Sequence, residues 1–120
     1  MTWPRQRKKP RRPPPQPQLI AVDVDRTLVD QDGQLDVGLV DWLRVQQRLG
    51  WDLMLWSSRG EDHARQVAQR HQVAGMFSVI LAKPGVILDD QGADWLRHVQ
   101  VVRPEWIPRP PPAAPPDANP

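Results

Sequence analysis

The distribution of proline limits the part of this chain that can form a folded domain. Residues 1–18 contain six prolines and residues 104–120 contain eight, whereas the region between them contains one. Proline has no backbone N–H to donate, and both end segments carry few aliphatic side chains to bury. We therefore predict a basic, Pro-rich disordered tail over 1–18, a single domain over 19–103, and a Pro-rich disordered tail over 104–120.

Positive charge is concentrated in the first of these tails. The whole chain has a pI of about 9.7, yet residues 19–103 hold 12 acidic side chains against nine Lys and Arg. The basic side chains of the arm at 5–12 can contact nucleic-acid phosphates or another anionic surface through charge alone. A tail that only keeps the protein in solution is the alternative interpretation.

Several classes of protein are excluded by what the sequence lacks. It contains no cysteine, so disulfides and thiolate zinc sites cannot form. It has no apolar run long enough to span a membrane and no apolar segment typical of a secretory signal. We therefore expect a cytoplasmic protein that has no membrane partner.

Short apolar runs that are suited to strands recur between helical patterns. The runs at 19–24 and 51–56 are rich in aliphatic or aromatic side chains. Further runs at 77–81 and 86–88 are also short enough to be strands, and 100–102 is a candidate for a last one. Strands separated by helices predict an α/β protein with a mostly parallel sheet and helices on both faces, which is a three-layer Rossmann-like fold.

The sequence also indicates where helices begin and end. Asp36 is suited to cap a helix that runs to about residue 49, and Gly50 is suited to stop it. A capping box at 58–61 predicts the start of a second helix. A brief third helix is expected at 93–98.

Three further features concern turns and packing. The pair Asp32-Gly33 lies between two short apolar pieces and predicts a hairpin. On the second helix, His63 and His71 are expected at the surface and at the edge of the core, and not as metal ligands. The tryptophans expected in the core are Trp42, Trp51, Trp56 and Trp95.

Polar residues follow several of the predicted strands. Asp23 and Asp25 end the first strand at i, i+2 spacing, which places their side chains on the same side of an extended chain. Ser57 follows the second strand, and Asp89-Asp90 follow the fourth. Ligands of parallel sheets bind at the carboxyl ends of strands. Because paired carboxylates beside a buried strand are costly unless they are compensated, we favour a functional site over a simple turn or helix cap.

Taken in order, these motifs resemble those of the haloacid dehalogenase superfamily of phosphohydrolases. An apolar strand followed by Asp-x-Asp-x-Thr is the first family motif, and residues 19–27 match it. Ser57 matches the second motif, Lys83 is the only candidate for the third, and Asp89-Asp90 match the fourth. The gaps in which family members carry a cap domain are short here. The resemblance therefore implies a small, capless member of the superfamily over 19–103.

The resemblance also implies a chemical role for each matched residue. Asp23 would attack phosphorus and form an aspartyl-phosphate, and Asp25 would protonate the leaving oxygen and then activate water. Lys83 would offset the negative charge of Asp23 and the phosphate. Substrate contacts are expected from Ser57 and Thr27. The family's Mg²⁺ cofactor would be held by Asp23, by the backbone carbonyl of Asp25 and by Asp90, with Asp89 supporting nearby.

Two positions raise questions about this assignment. Arg26 stands where the family often has Gly, and its cation could contact an anionic substrate or point to solvent. Lys83 stands six positions before Asp89. If 86–89 is a strand, Lys83 starts roughly 20 Å from its carboxylate end. Either the loop after Lys83 folds back towards the site, or Lys83 is not the catalytic lysine.

Together these features predict a Mg²⁺-dependent phosphatase that hydrolyses phosphomonoesters through an aspartyl-phosphate. An open site admits a large substrate, and the arm at 5–12 is basic, so a nucleotide or polynucleotide end is the favoured substrate. The alternative is a binding module that keeps the fold, has a degenerate site, and binds partners through its basic and Pro-rich tails.

Overall fold

Three parallel strands and two α-helices alternate along the chain in a computed structural model that describes residues 17–109. The strands lie in the order β1-β2-β3 in one sheet. The elements are β1 (Leu19–Asp23), α1 (Val37–Arg48), β2 (Asp52–Ser57), α2 (Glu61–Arg70) and β3 (Val79–Ala82), and short 3-10 helices follow at Ala74–Met76, Gly92–His98 and Pro104–Trp106. The predicted α/β class and parallel sheet are confirmed, and the arrangement is compatible with a Rossmann-like fold.

One face of the sheet carries the hydrophobic core. Side chains alternate along each strand, so that Val22, Leu53 and Leu55 are buried. These strand residues form one cluster with the buried faces of both helices. The helix residues in the cluster are Leu39, Val40 and Leu43 from α1, and Ala64, Val67 and Ala68 from α2. Both helices therefore pack on the same face, as right-handed crossovers between sequential neighbouring strands require.

The opposite face of the sheet has no helix on it within residues 17–109, so the predicted third layer is wrong for this part of the chain. Leu19, Val79 and Leu81 are exposed on that face, and Met54 and Trp56 between them are half-buried. Trp56 is consequently not a core residue. A third layer needs a crossover that returns the chain over the second face, and residues 83–109 make none.

The fourth predicted strand does not form, and neither does the one predicted at 100–102. Residues 86–88 belong to no strand, and Leu88 is 95% exposed. Only three residues separate the end of β3 from Val86, whereas a parallel neighbour needs a crossover of a dozen residues or more. The helix expected at 93–98 is a 3-10 helix without buried residues. Within residues 17–109, no helix has the length and apolarity needed to cross a membrane.

The loop between β1 and α1 is held by local hydrogen bonds, as the hairpin prediction requires. The Asp30 N–H donates to the Gln34 carbonyl, and Gly33 adopts a φ of 78°. The Asp30 carboxylate accepts from the N–H groups of Asp32 and Gln34 at 2.8 and 2.9 Å. Asp36 then caps α1 by accepting from the Leu39 N–H at 3.1 Å, which confirms the predicted N-cap.

Both α-helices end in the same hydrogen-bond pattern but with different residues at its left-handed position. After α1, Gly50 has a φ of 103°, and the Trp51 N–H reaches back to the Gln46 carbonyl. After α2, Gln72 has a φ of 58°, and the Val73 N–H reaches back to the Ala68 carbonyl. This is the Schellman arrangement, in which glycine is preferred because it has no Cβ. Gln72 is therefore strained where Gly50 is not.

Replacing Gln72 with Gly is expected to stabilise the domain by about 0.5–1 kcal/mol. The left-handed conformation costs a non-glycine residue about 1–2 kcal/mol, and the greater freedom of glycine in the unfolded chain cancels part of that gain. Urea unfolding measures the difference. The matched change Gly50→Ala should act in the opposite direction, and destabilisation by both variants would contradict the argument.

The packed part of the chain continues past residue 103. Ile107 packs against the core, and the Arg109 guanidinium pairs with the Asp36 carboxylate. Partial burial of Asp36 works to raise its pKa, but hydrogen bonds from Arg109 and from the Leu39 N–H outweigh burial and hold the pKa below its ordinary value of 3.8. In the other predicted tail, the Gln18 carbonyl accepts the Asp52 N–H at 2.8 Å, and the rest of the two tails, residues 1–16 and 110–120, lies outside the described residues.

A pH-dependent contribution to stability follows from the lowered pKa of Asp36. Since the folded state favours the ionised carboxylate, this contribution is fully present above the ordinary pKa of 3.8 and is lost as the pH falls through the lower, folded-state pKa. Urea unfolding of wild type and Asp36→Asn from pH 3 to pH 7 should therefore give a stability difference that shrinks at the acidic end. Asn retains a capping oxygen. A difference that is the same at every pH would exclude this contribution.

Candidate active site

The carboxyl ends of the three strands bring Asp23, Ser57 and Lys83 to one edge of the sheet. Asp23 is the last residue of β1, Ser57 is the last residue of β2, and Lys83 directly follows β3. The Lys83 N–H donates to the Ser57 carbonyl at 2.8 Å and continues the ladder between β2 and β3. Parallel strands place their carboxyl ends together, so three separate sequence motifs meet at this edge.

Lys83 reaches Asp23 across the middle strand. Its ammonium nitrogen lies 3.9 Å from Asp23 Oδ1, and it lies 5.7 Å from the centre of the Trp56 ring. In the register of the sheet, Trp56 pairs with Asp23 on one side and with Leu81 on the other. The outer strands are roughly 10 Å apart, and the lysine crosses that gap over the indole, within cation–π range.

The expected 20 Å separation does not arise because Lys83 belongs to the end of β3 and not to the start of a fourth strand. Its position is set by pairing with β2, through the Ser57 carbonyl. The number of residues between Lys83 and Asp89 therefore does not limit whether the Lys83 side chain contacts Asp23. About half of the side chain is exposed, so Lys83 is accessible to a ligand at the edge of the sheet.

The loop after β1 places Thr27 against the same carboxylate. The Thr27 hydroxyl donates to Asp23 Oδ2 at 3.4 Å. Arg26, between Asp25 and Thr27, adopts a φ of 62° and is exposed. Glycine tolerates this conformation better than arginine does, so the backbone is strained at Arg26. The Arg26 side chain borders a surface depression together with Asp30, Gln31 and Asp32.

Asp25 is held by one side chain from the turn before α2 and one from the first turn of α2. His63 Nε2 lies 3.2 Å from Asp25 Oδ1, and Arg59 Nη1 lies 3.5 Å from the same oxygen. From the sequence, His63 was expected at the helix surface, and Arg59 was not among the predicted site residues. A usable signal was present, because both residues follow the carboxyl end of β2 within six positions.

Ser57 lies at the predicted strand end, but its side chain is fully buried. Its hydroxyl accepts the Arg59 N–H at 3.0 Å, and its carbonyl accepts the Gly60 N–H. In this arrangement the side chain stabilises the turn into α2. The capping box predicted at 58–61 is wrong, since Gly60 occupies the N-cap position of α2 with no side-chain cap.

Asp89 and Asp90 do not join the other carboxylates. Both lie on the exposed segment after β3, and Asp89 accepts the N–H of Gln91 in a local turn. Among residues 17–109, no three His, Asp or Glu side chains form a group that could hold a metal ion. The predicted set of four aspartates is thus not assembled in this structure, because the strand that would carry Asp89 and Asp90 to the sheet edge does not form.

The arrangement has the groups needed for reactions of a phosphate ester. Asp23 is a half-buried carboxylate between a cation and a hydroxyl, and Asp25 is a second carboxylate whose partners are His63 and Arg59. One carboxylate can thus act as a nucleophile while the other moves a proton.

Comparison of the chain with known protein families, with curated proteins and with solved structures finds no match.

Proposed function

We propose that this protein is a phosphatase that hydrolyses phosphomonoesters through an aspartyl-phosphate on Asp23. The observation that carries the proposal is the Lys83 ammonium 3.9 Å from Asp23 Oδ1. A cation at that distance offsets negative charge where an anionic nucleophile meets an anionic substrate. The order of the motifs, which resembles the haloacid dehalogenase superfamily, supports the same chemistry.

In the first step, a carboxylate oxygen of Asp23 forms a bond to phosphorus as the bond from phosphorus to the leaving oxygen breaks. Asp25, in its protonated form, gives its proton to that oxygen, so the product leaves as a neutral alcohol. In the second step, Asp25 takes a proton from water, and the water oxygen attacks phosphorus. The bond to Asp23 breaks, inorganic phosphate is released, and both carboxylates return to their starting forms.

The neighbours of the two aspartates suit these separate roles. Thr27 donates to Asp23 Oδ2, while Lys83 lies beside Oδ1, so the nucleophile is held in one orientation. Asp25 is oriented by His63, whose ring is mostly buried. A group that is fixed in position before the reaction lowers the entropic part of the barrier.

Magnesium is the cofactor expected for this chemistry, and the donor set fits it in part. Mg²⁺ is commonly bound through one or two carboxylates, with waters and substrate phosphate completing its shell. The Asp23 carboxylate is a donor of that kind and the backbone carbonyl of Asp25 would supply a second oxygen, whereas Asp89 and Asp90 lie elsewhere. When bound, Mg²⁺ would neutralise charge on the carboxylates and the phosphate.

The proposed fold family rests on the same motifs. We place the domain among capless haloacid dehalogenase-like proteins because the segments 24–36 and 71–78, which leave β1 and α2, contain only a hairpin and one short 3-10 helix. Neither segment has room for a cap domain, so the site would be open to a large substrate.

A panel of phosphomonoesters tests the proposed activity. The full chain should release phosphate from an aryl phosphate and from nucleotides when Mg²⁺ is present, and chelation by EDTA should lower the rate. Inorganic phosphate release measures turnover directly. The absence of turnover across the panel, with correctly folded protein and Mg²⁺ in excess, would reject the proposal.

A nucleotide or polynucleotide end is the substrate we favour, because the arm at 5–12 is basic and the site would be open. Deleting residues 1–17 should raise KM for a phosphorylated oligonucleotide, and the effect should weaken as salt is added. An aryl phosphate, which is too small to reach the arm, is the control substrate. An unchanged KM for the oligonucleotide would argue against this role of the arm.

A non-catalytic binding module is the second candidate, and the position of Asp89 and Asp90 favours it. Without them, the part of the chain that the structure describes has no three-carboxylate metal group. In that case the basic and Pro-rich tails would bind partners and the domain would only present them. Tight binding of a partner by the isolated tails, together with no turnover on any substrate, would support this second function.

A further inference from the structure

A cleft runs from Asp25 along α2, beyond the groups that the proposed chemistry uses. It has a volume of about 200 Å³ and lies between α2 and the loop that follows β1. Val29 and Val67, which are almost fully buried, form its apolar floor. Arg59 lines it near Asp25, and Arg70 lines it at the other end of the helix.

Contacts at both ends of α2 keep this cleft formed. Near the start of the helix, His63 holds Asp25 at 3.2 Å. At the end of the helix, His71 Nε2 donates to the Gly33 carbonyl at 3.1 Å. The loop is thus fixed to the helix at two points eight residues apart, and the cleft lies between them. A preformed cleft costs little ordering entropy on binding.

Among the charged side chains that line the cleft, Arg70 is a cation without an ion pair in residues 17–109. Asp25 faces His63 and Arg59, and the Asp30 carboxylate accepts two N–H groups of its own loop. Arg70 takes part in none of the ion pairs among residues 17–109. Its guanidinium is therefore available to an anion that enters the cleft.

We propose that this cleft binds the leaving group of a substrate that carries a second phosphate, and that Arg70 contacts this phosphate. The inference rests on the proposed phosphatase activity and specifies its substrate class: phosphomonoesters of an alcohol that is itself phosphorylated, such as a nucleoside bisphosphate or an oligonucleotide end. Arginine suits the task because its planar fork donates two hydrogen bonds to one phosphate.

The length of the helix must be spanned by such a substrate and the Arg70 side chain together. A helix of ten residues such as α2 is about 15 Å long. The reacting phosphate would lie at the Asp23 end, and the long side chain of Arg70 reaches back along the helix into the cleft. The alcohol part of the substrate, between the two phosphates, would cover the apolar floor at Val29 and Val67.

The test compares two substrates and two arginine variants in the full chain. For wild type, we expect kcat/KM for adenosine 3′,5′-bisphosphate to exceed that for adenosine 5′-monophosphate by about tenfold, the size of a charge-assisted contact at an exposed site. Arg70→Gln should remove most of this preference. Arg48→Gln is the matched control, because Arg48 also lies in the last turn of a helix but outside the cleft, and it should keep the preference.

The outcomes separate this inference from the proposed activity. If wild type hydrolyses both substrates equally, or if Arg70→Gln keeps the preference, the inference is wrong while the activity stands. If neither substrate turns over, the activity is wrong, and equilibrium binding of the bisphosphate decides the inference. Binding that is about tenfold weaker in Arg70→Gln than in wild type and Arg48→Gln supports it, and equal binding to all three proteins overturns it.

Discussion

Replacing Asp23 with Asn should reduce phosphatase turnover by about a thousandfold or more. An amide oxygen is a much weaker nucleophile than a carboxylate, and loss of a covalent nucleophile typically has effects of this size. The shape of the side chain and an acceptor for the Thr27 hydroxyl are kept. The ion pair with Lys83 is lost, but both partners are partly exposed, so the change in unfolding free energy should stay below about 1 kcal/mol.

The control for this experiment is Asp41→Asn. Asp41 lies exposed on α1, takes part in none of the ion pairs among residues 17–109, and the substitution changes the net charge by the same amount. Mass spectrometry of acid-quenched wild type during turnover should detect one phosphoryl group on the peptide that contains Asp23. Equal turnover by wild type and Asp23→Asn would rule out an aspartyl-phosphate on Asp23. A phosphoryl group on another residue would identify that residue as the nucleophile.

Leu55→Ala is expected to lower the free energy of unfolding by about 3 kcal/mol. Leu55 is in the middle strand of the sheet, is fully buried, and belongs to the cluster that both helices share. Truncation of a buried leucine removes its transfer free energy and leaves a cavity, which together cost about 2–5 kcal/mol. A small domain has limited stability to lose, so a large part of the protein should be unfolded at 37 °C.

Urea unfolding followed by circular dichroism measures this effect, and two further variants serve as controls. Leu49→Ala, at a position that is 67% exposed, should cost less than about 0.5 kcal/mol. Leu55→Met keeps most of the volume and should cost less than about 1.5 kcal/mol, which gives a value even if the alanine variant is too unstable to measure. A loss below about 1 kcal/mol in Leu55→Ala would mean that the core is not centred on β2.

The first half of the domain could be predicted from the sequence because its signals are local. The cap at Asp36, the stop at Gly50 and the turn at Asp32-Gly33 each depend on residues a few positions apart, and all three occur as predicted. The strands β1 and β2 follow from short apolar runs. The Asp-x-Asp-x-Thr motif was visible for the same reason.

The second half of the domain was predicted less well because strand formation there depends on the length of the connection after β3, which the composition of a segment does not show. The run 86–88 has the composition of a strand, but three residues after β3 cannot form a parallel crossover. Composition favoured a strand, and connection length prevented it. The carboxylates Asp89 and Asp90 consequently lie on an exposed segment and not at the sheet edge.

The sequence by itself determined the parallel α/β unit up to β3 and the carboxylates at the end of β1, since periodicity, caps and turn residues act over short distances. Only the tertiary structure decided which groups meet those carboxylates. Strand pairing brings Lys83 over Trp56 to Asp23, and helix packing brings His63 and Arg59 to Asp25. These contacts join residues 27 to 60 positions apart, and their distances depend on sheet register and helix placement, which no local pattern encodes.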